Sequence, residues 1–155
     1  MSAVVFDLAI IGAGASGLQL LYEMIQADPT GEKKILLLDS GDRSTKSWCF
    51  WEDEKRACYS FLVEKSWKSM TYRTSEGGAI KSTITPLEYN YISSERFFAY
   101  FFEEFIPANP NITLVKNWAK EVEEGDDAQT IRCQDGSTFF ARRVADSRPI
   151  KSDDP

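Results

Sequence analysis

The six residues Gly12-Ala13-Gly14-Ala15-Ser16-Gly17 constrain this chain more than any other segment. They form a G-x-G-x-x-G, whose meaning depends on what flanks it. Before it runs Val4-Val5-Phe6-Asp7-Leu8-Ala9-Ile10-Ile11, the mostly apolar, β-branched pattern of a strand buried on both faces of a parallel sheet. After it, Leu18, Leu21, Tyr22 and Ile25 recur at i, i+3, i+4 and i+7, one face of a helix. Pro29-Thr30-Gly31 punctuates the chain, and Lys34-Ile35-Leu36-Leu37-Leu38 reads as a second buried strand ending at Asp39.

Strand, glycine turn, helix and strand in this order predict a dinucleotide site. Gly12 permits the tight turn out of the strand. Gly14 lacks a Cβ, so a pyrophosphate can approach the backbone, and Gly17 lets the helix pack closely. The helix start presents unpaired N–H groups and about half a positive charge to the phosphates. Asp39, 22 residues past Gly17, is placed to accept a hydrogen bond from a ribose hydroxyl. The predicted cofactor contacts are therefore Gly12, Ala13, Gly14, Ala15, Ser16, Gly17, Asp39 and Ser40. Arg43 is within reach of the adenosine or phosphates, although a solvated surface position suits an arginine equally. Ser16 reads as a helix-start residue and not as a catalyst.

Composition removes several function classes. Of the 155 residues, 43% are hydrophobic and 27% charged, values of a soluble globular domain and not of a disordered tail. Lys and Arg total 18 against 24 Asp and Glu, a net charge of −6, which argues against nonspecific nucleic-acid binding. The chain has no histidine, so it offers no Ser-His-Asp or Cys-His pair and no His-ligated metal site. Three cysteines (Cys49, Cys58, Cys133) are an odd, widely spaced set and read as reduced cytosolic thiols. No apolar stretch approaches the roughly 18 residues of a membrane span, so a cytoplasmic location is expected, with any membrane contact peripheral.

Beyond Asp39 the pattern departs from the uninterrupted β-α-β-α of an NAD domain. Residues 41–90 form a loop-rich, aromatic insertion, with a hairpin formed by 70–74 and 79–84 around Glu76-Gly77-Gly78. Residues 93–105 predict a helix with Phe97, Phe98, Phe101, Phe102 and Phe105 on one wide stripe, read as core; Glu103 and Glu104 are adjacent and solvated. A strand at 111–115 precedes an antiparallel meander over 120–141 and a short strand at 143–149. The order fits an α/β, Rossmann-like FAD-binding domain of the glutathione reductase type, in which a β-meander crosses over before the parallel sheet resumes. One domain is expected over 1–149, with a disordered tail at 150–155.

Several motifs together resemble the lycopene cyclase family. They are the glycine signature from Asp7 to Leu18; Ser47-Trp48-Cys49-Phe50-Trp51; Tyr89-Asn90-Tyr91-Ile92-Ser93-Ser94-Glu95-Arg96-Phe97-Phe98; and Val144-Ala145-Asp146-Ser147-Arg148-Pro149. The likeness runs over residues 5–149, less than half the family's usual length, so the fold is expected to be truncated on its C-terminal side. Ala145 departs from the bulky aromatic residue of the family pattern. The resemblance implies a flavoprotein of carotenoid biosynthesis. It would use reduced FAD, with NAD(P)H as candidate reductant, to cyclise the ends of lycopene in a redox-neutral isomerisation. An acid protonates the polyene, a neighbouring double bond attacks the cation, and proton loss leaves a ring. Trp48, Phe50 and Trp51 either line a cation-stabilising site or pack as core. No catalytic acid is assigned; Glu52 and Asp53 read as surface acids. The alternatives are another FAD enzyme of the same fold, such as a prenyl reductase or aromatic hydroxylase, or a nonenzymatic nucleotide-binding remnant.

Overall fold

The computed structural model describes residues 4–28, 30–41, 46–53 and 59–148. Arg43 and the tail 150–155 lie outside the described residues. In chain order the elements are β1 (Val5–Phe6), β2 (Leu8–Ile11), α1 (Ala15–Gln26) and β3 (Ile35–Asp39). Next come β4 (Ser47–Asp53), β5 (Lys65–Trp67), β6 (Ser69–Arg73), β7 (Ala79–Thr83) and β8 (Leu87–Ser93). A helical run starts as α2 (Ser94–Ala99), passes through a π-helical stretch (Tyr100–Phe105) and ends as the short α3 (Ile106–Ala108). Then follow β9 (Ile112–Lys116), β10 (Ala119–Glu123), β11 (Gln129–Cys133), β12 (Thr138–Ala141) and β13 (Val144–Asp146). The chain divides into two compact units: Met1–Arg43 with Glu104–Pro155, and Ser44–Glu103.

The first unit holds a parallel sheet in the order β13-β2-β3-β9 and a second sheet in the order β1-β12-β11-β10. Every residue of β2 and β3 is buried, as their apolar runs predict. Alternate side chains of these strands serve opposite faces. Ala9, Ile11, Leu36 and Leu38 join Ala119, Ile131, Cys133 and Ala141 of the other sheet in one apolar cluster. Ile10 faces α1, where its side chain lies beneath Gly17. Leu18 and Leu21 seal that helix face with no solvent exposure, which burial of this size favours by about 1.5–3 kcal/mol per side chain.

The single strand expected over residues 4–11 is two. Asp7 breaks it, because a carboxylate in an apolar run needs donors. Its side chain accepts the Lys34 N–H at 2.9 Å, and its own N–H donates to the Lys34 carbonyl at 2.9 Å. The residues ahead of the break pair in parallel with β12, and Val4 and Val5 remain exposed. The meander β10-β11-β12 is antiparallel throughout and hands over to β13, which returns to pair in parallel with β2.

In the second unit β4, β8 and β5 form an antiparallel sheet, and β6 and β7 form the hairpin read from the sequence, with Gly77 at φ +85° in its turn. The tryptophan-rich motif is strand β4, which separates residues that the sequence reading took as one aromatic set. Trp48 packs on Phe97 and Phe98, with ring centroids 4.7 and 5.6 Å apart. Trp51, three positions on and therefore on the other face, stacks on Tyr89 at 4.7 Å. Ser93 caps the helix by accepting the Arg96 N–H at 3.3 Å, and Phe97 and Phe101 are buried beneath it. Of the phenylalanine stripe, Phe97, Phe101 and Phe105 are buried, whereas Phe98 and Phe102 are half-buried.

Candidate functional site

All four parallel strands end on one edge of the first unit's sheet. From β2 the chain proceeds outward to β3 and β9, then crosses to β13 on the opposite flank. The reversal between β2 and β13 is the switch point at which open α/β sheets bind ligands, outside the carboxyl ends of their strands. The glycine loop lies there.

Gly12 leaves β2 at φ +98° and donates its N–H to the Leu38 carbonyl at 2.8 Å, tying the turn to β3. Gly14 is the N-cap of α1 in extended backbone (φ −75°, ψ −177°), with no side-chain cap and no acid in the first helical turn. A Cβ built on Gly14 would meet nothing within 4 Å. One built on Gly17 would fall closer than 3.0 Å to the Gly12 carbonyl oxygen, so Gly17 lets the helix start close against the turn. Ala13 is buried, Ala15 half-buried, and Ser16 exposed within the helix's first turn. These features leave an open, uncapped helix start of the kind that accepts an anion.

Asp39 ends β3 in register with Lys116 of β9, and its backbone carbonyl accepts the Asn117 N–H at 2.9 Å. Ser40 is exposed beyond it, and Gly41 sits at φ +80° beneath the flexible end of the Lys116 side chain, which a Cβ there would have to displace. The structure thus brings Gly12 to Gly17, Asp39 and Ser40 to one edge. Arg43 is outside the described residues.

The end of β13 supplies residues that the sequence reading did not assign to the site. Arg148 forks the Asp146 carboxylate, with Nε–O distances of 2.9 and 3.0 Å and an Nη2–Oδ2 distance of 2.6 Å. Its other arm donates to the Ala119 carbonyl. The Arg148 guanidinium holds the Asp146 carboxyl below the usual carboxylate range, and Asp146 raises Arg148 in turn. Ser147 donates to the Ile11 carbonyl from its hydroxyl at 2.7 Å. A polar triplet closing an apolar strand was the available signal; the pairing of β13 beside β2 was not visible in it.

Cavities of about 730 and 370 Å³ lie at the opposite, amino-terminal edge, lined by Lys34, Asn111 and Phe139, and by Asp7, Met24 and Arg143. Neither coincides with the glycine corner. In open α/β sheets a dinucleotide lies along the crevice at the carboxyl edge, the edge opposite these two half-open hollows. Glu52 and Asp53 belong to the second unit, at the end of β4. Among the described residues no cluster of His, Cys, Asp and Glu is arranged to hold a metal ion.

Solved structures share this architecture. p-Nitrophenol 4-monooxygenase PnpA from Pseudomonas putida DLL-E4 superposes with a TM-score of 0.74 at 15% identity, covering 98% of this chain and 43% of that one. 2,6-Dihydroxypyridine-3-hydroxylase from Arthrobacter nicotinovorans gives 0.62 at 15% identity, covering 92% and 37%. The halogenase PltM gives 0.64 at 11% identity, covering 95% and 36%. The fold is the Rossmann-like FAD-binding fold, and the chain spans about two-fifths of the length of these proteins. No curated protein matches. The family model described as "Lycopene cyclase protein" matches residues 7–155.

Proposed function

Because this chain belongs to the lycopene cyclase family, we propose that it is the FAD-cradling portion of a flavoprotein that closes rings at the ends of lycopene. The observation that carries the reading is Gly14, which gives an uncapped helix start with open space above it. Asp39, at the end of the neighbouring strand, stands where a ribose hydroxyl would donate. The amides of the α1 start bind the pyrophosphate, Gly14 admits it, and Asp39 orients the adenosine sugar. When bound, reduced FAD supplies negative charge that stabilises a substrate carbocation, with NAD(P)H as its reductant.

Protonation of the polyene needs an acid, and none of the described acids at this edge is given that role. Asp146 is held ionised by Arg148, and Asp39 is assigned to the sugar. The 155-residue chain alone is expected to bind FAD weakly and not to cyclise lycopene. No described helix is long and apolar enough to cross a membrane, and we assign contact with the lipid-dissolved polyene to the periphery of the bilayer.

The test is FAD titration of the purified chain by quenching of flavin fluorescence. Saturable binding that Asp39→Ala weakens by about five- to thirtyfold supports the reading, that range being one lost hydrogen bond to a polar ligand group. Absence of binding by the wild-type chain overturns it. Expression in lycopene-accumulating cells of this chain joined to a complementary C-terminal portion from the same family tests the substrate: an orange-yellow shift supports the cyclase reading, and unchanged red pigment beside a flavin-loaded protein refutes it.

A further inference from the structure

A Cβ built on Gly12 would lie closer than 3.0 Å to the Ser147 hydroxyl. The serine thus occupies the space that a side chain at position 12 would need. Its hydroxyl donates to the Ile11 carbonyl at 2.7 Å, and its backbone N–H donates to the same oxygen at 3.0 Å. Two donors from the end of β13 therefore hold the carbonyl of the Ile11–Gly12 peptide. From the other side, the N–H of that peptide is held by the Leu38 carbonyl of β3 at 2.8 Å. A rotation of this peptide would break all three bonds.

The orientation of that peptide matters because Gly12 stands at φ +98°, where only glycine rests comfortably and where the chain turns from strand to phosphate loop. The aim of the following amides depends on it. Ser147 is itself anchored, since Arg148 beside it grips Asp146 and reaches the Ala119 carbonyl.

We propose that Ser147 is a positioning residue of the cofactor site: its hydroxyl locks the Ile11–Gly12 peptide and so aims the loop amides at a dinucleotide pyrophosphate. It acts on the loop and not on the ligand. The inference rests on the reading of the glycine corner as the FAD site, and adds to it a second, distant motif.

The decisive comparison is Ser147→Thr against Ser147→Val in the full chain. The two substituents match in shape, and only threonine keeps the hydroxyl donor. FAD affinity and amide hydrogen exchange at residues 12–17 are measured for both. Ser147→Val weakens FAD binding by about five- to thirtyfold, the effect of one hydrogen bond, and speeds exchange at the loop alone; Ser147→Thr stays near wild type on both counts. Ser147→Ala adds no volume and repeats the valine result should the larger side chains prevent folding. Equal affinities for threonine and valine, or faster exchange spread over the whole sheet with affinity unchanged, overturn the proposal. Should the wild-type chain take up no FAD, the cofactor assignment falls, and loop exchange alone decides the serine's role: unchanged exchange in Ser147→Val and Ser147→Ala refutes it.

Discussion

Gly14 and Gly17 stand three residues apart in one motif and are needed for different reasons. Gly17 has backbone against it, so a methyl group there must push the helix off the turn. Gly17→Ala is expected to lower stability by about 1–3 kcal/mol, the usual cost of overpacking, read from urea unfolding without ligand. Gly14 has empty space above it. Gly14→Ala is expected to change ligand-free stability by less than about 1 kcal/mol, since its backbone angles suit any residue. On the proposed reading its Cβ would stand in the path of the pyrophosphate, so FAD affinity is expected to fall. A result in which both variants lose stability equally contradicts this division. Asp146 adds a pH signature. Arg148 lowers its carboxyl pKa in the folded state, so the pair stabilises the fold above the ordinary carboxylate value of about 3.9 and loses that contribution as pH falls through the depressed folded value. Replacing Arg148 by Met should flatten the acid limb of a stability profile measured by urea midpoints across that range.

At the scale of elements, the helical run from Ser94 to Ala108 shows what periodicity can and cannot deliver. The phenylalanine spacing gave the buried stripe correctly: Phe97 and Phe101 are 2% and 0% exposed, whereas Phe98 and Phe102 are half-buried. Phe101→Ala is expected to cost about 3–5 kcal/mol and Phe98→Ala clearly less, measured as paired denaturant midpoints. The π-helical stretch at Tyr100–Phe105 was not legible, because it shifts hydrogen bonds by one residue without changing which residue types suit a helix. Strand β4 was missed for a related reason. Ser47-Trp48-Cys49-Phe50-Trp51 has apolar residues on both faces, so the alternation that marks a half-buried strand is absent. The break at Asp7 was legible in principle, since a lone acid inside an apolar run requires donors, but its partner, the Lys34 amide, comes from an element 27 residues away.

For the molecule as a whole, sequence order carried the fold further than it carried the site. The glycine loop and Asp39 were readable because the residues that make them are close in sequence and chemically distinctive. Lys116 and Ser147 were not, because they reach the same edge only through the pairing of β9 with β3 and of β13 with β2. That pairing also places the first-made strand of the sheet between partners made later. Ile11 and Ser147 are 136 residues apart. At a synthesis rate of about 5–20 residues per second, on the order of ten seconds separates their emergence from the ribosome. Through that interval a nascent chain carries the glycine turn without Ser147 beside it, so on the proposed role of that serine flavin capture waits until residue 147 has emerged, and a product released before that residue has its phosphate loop unsecured.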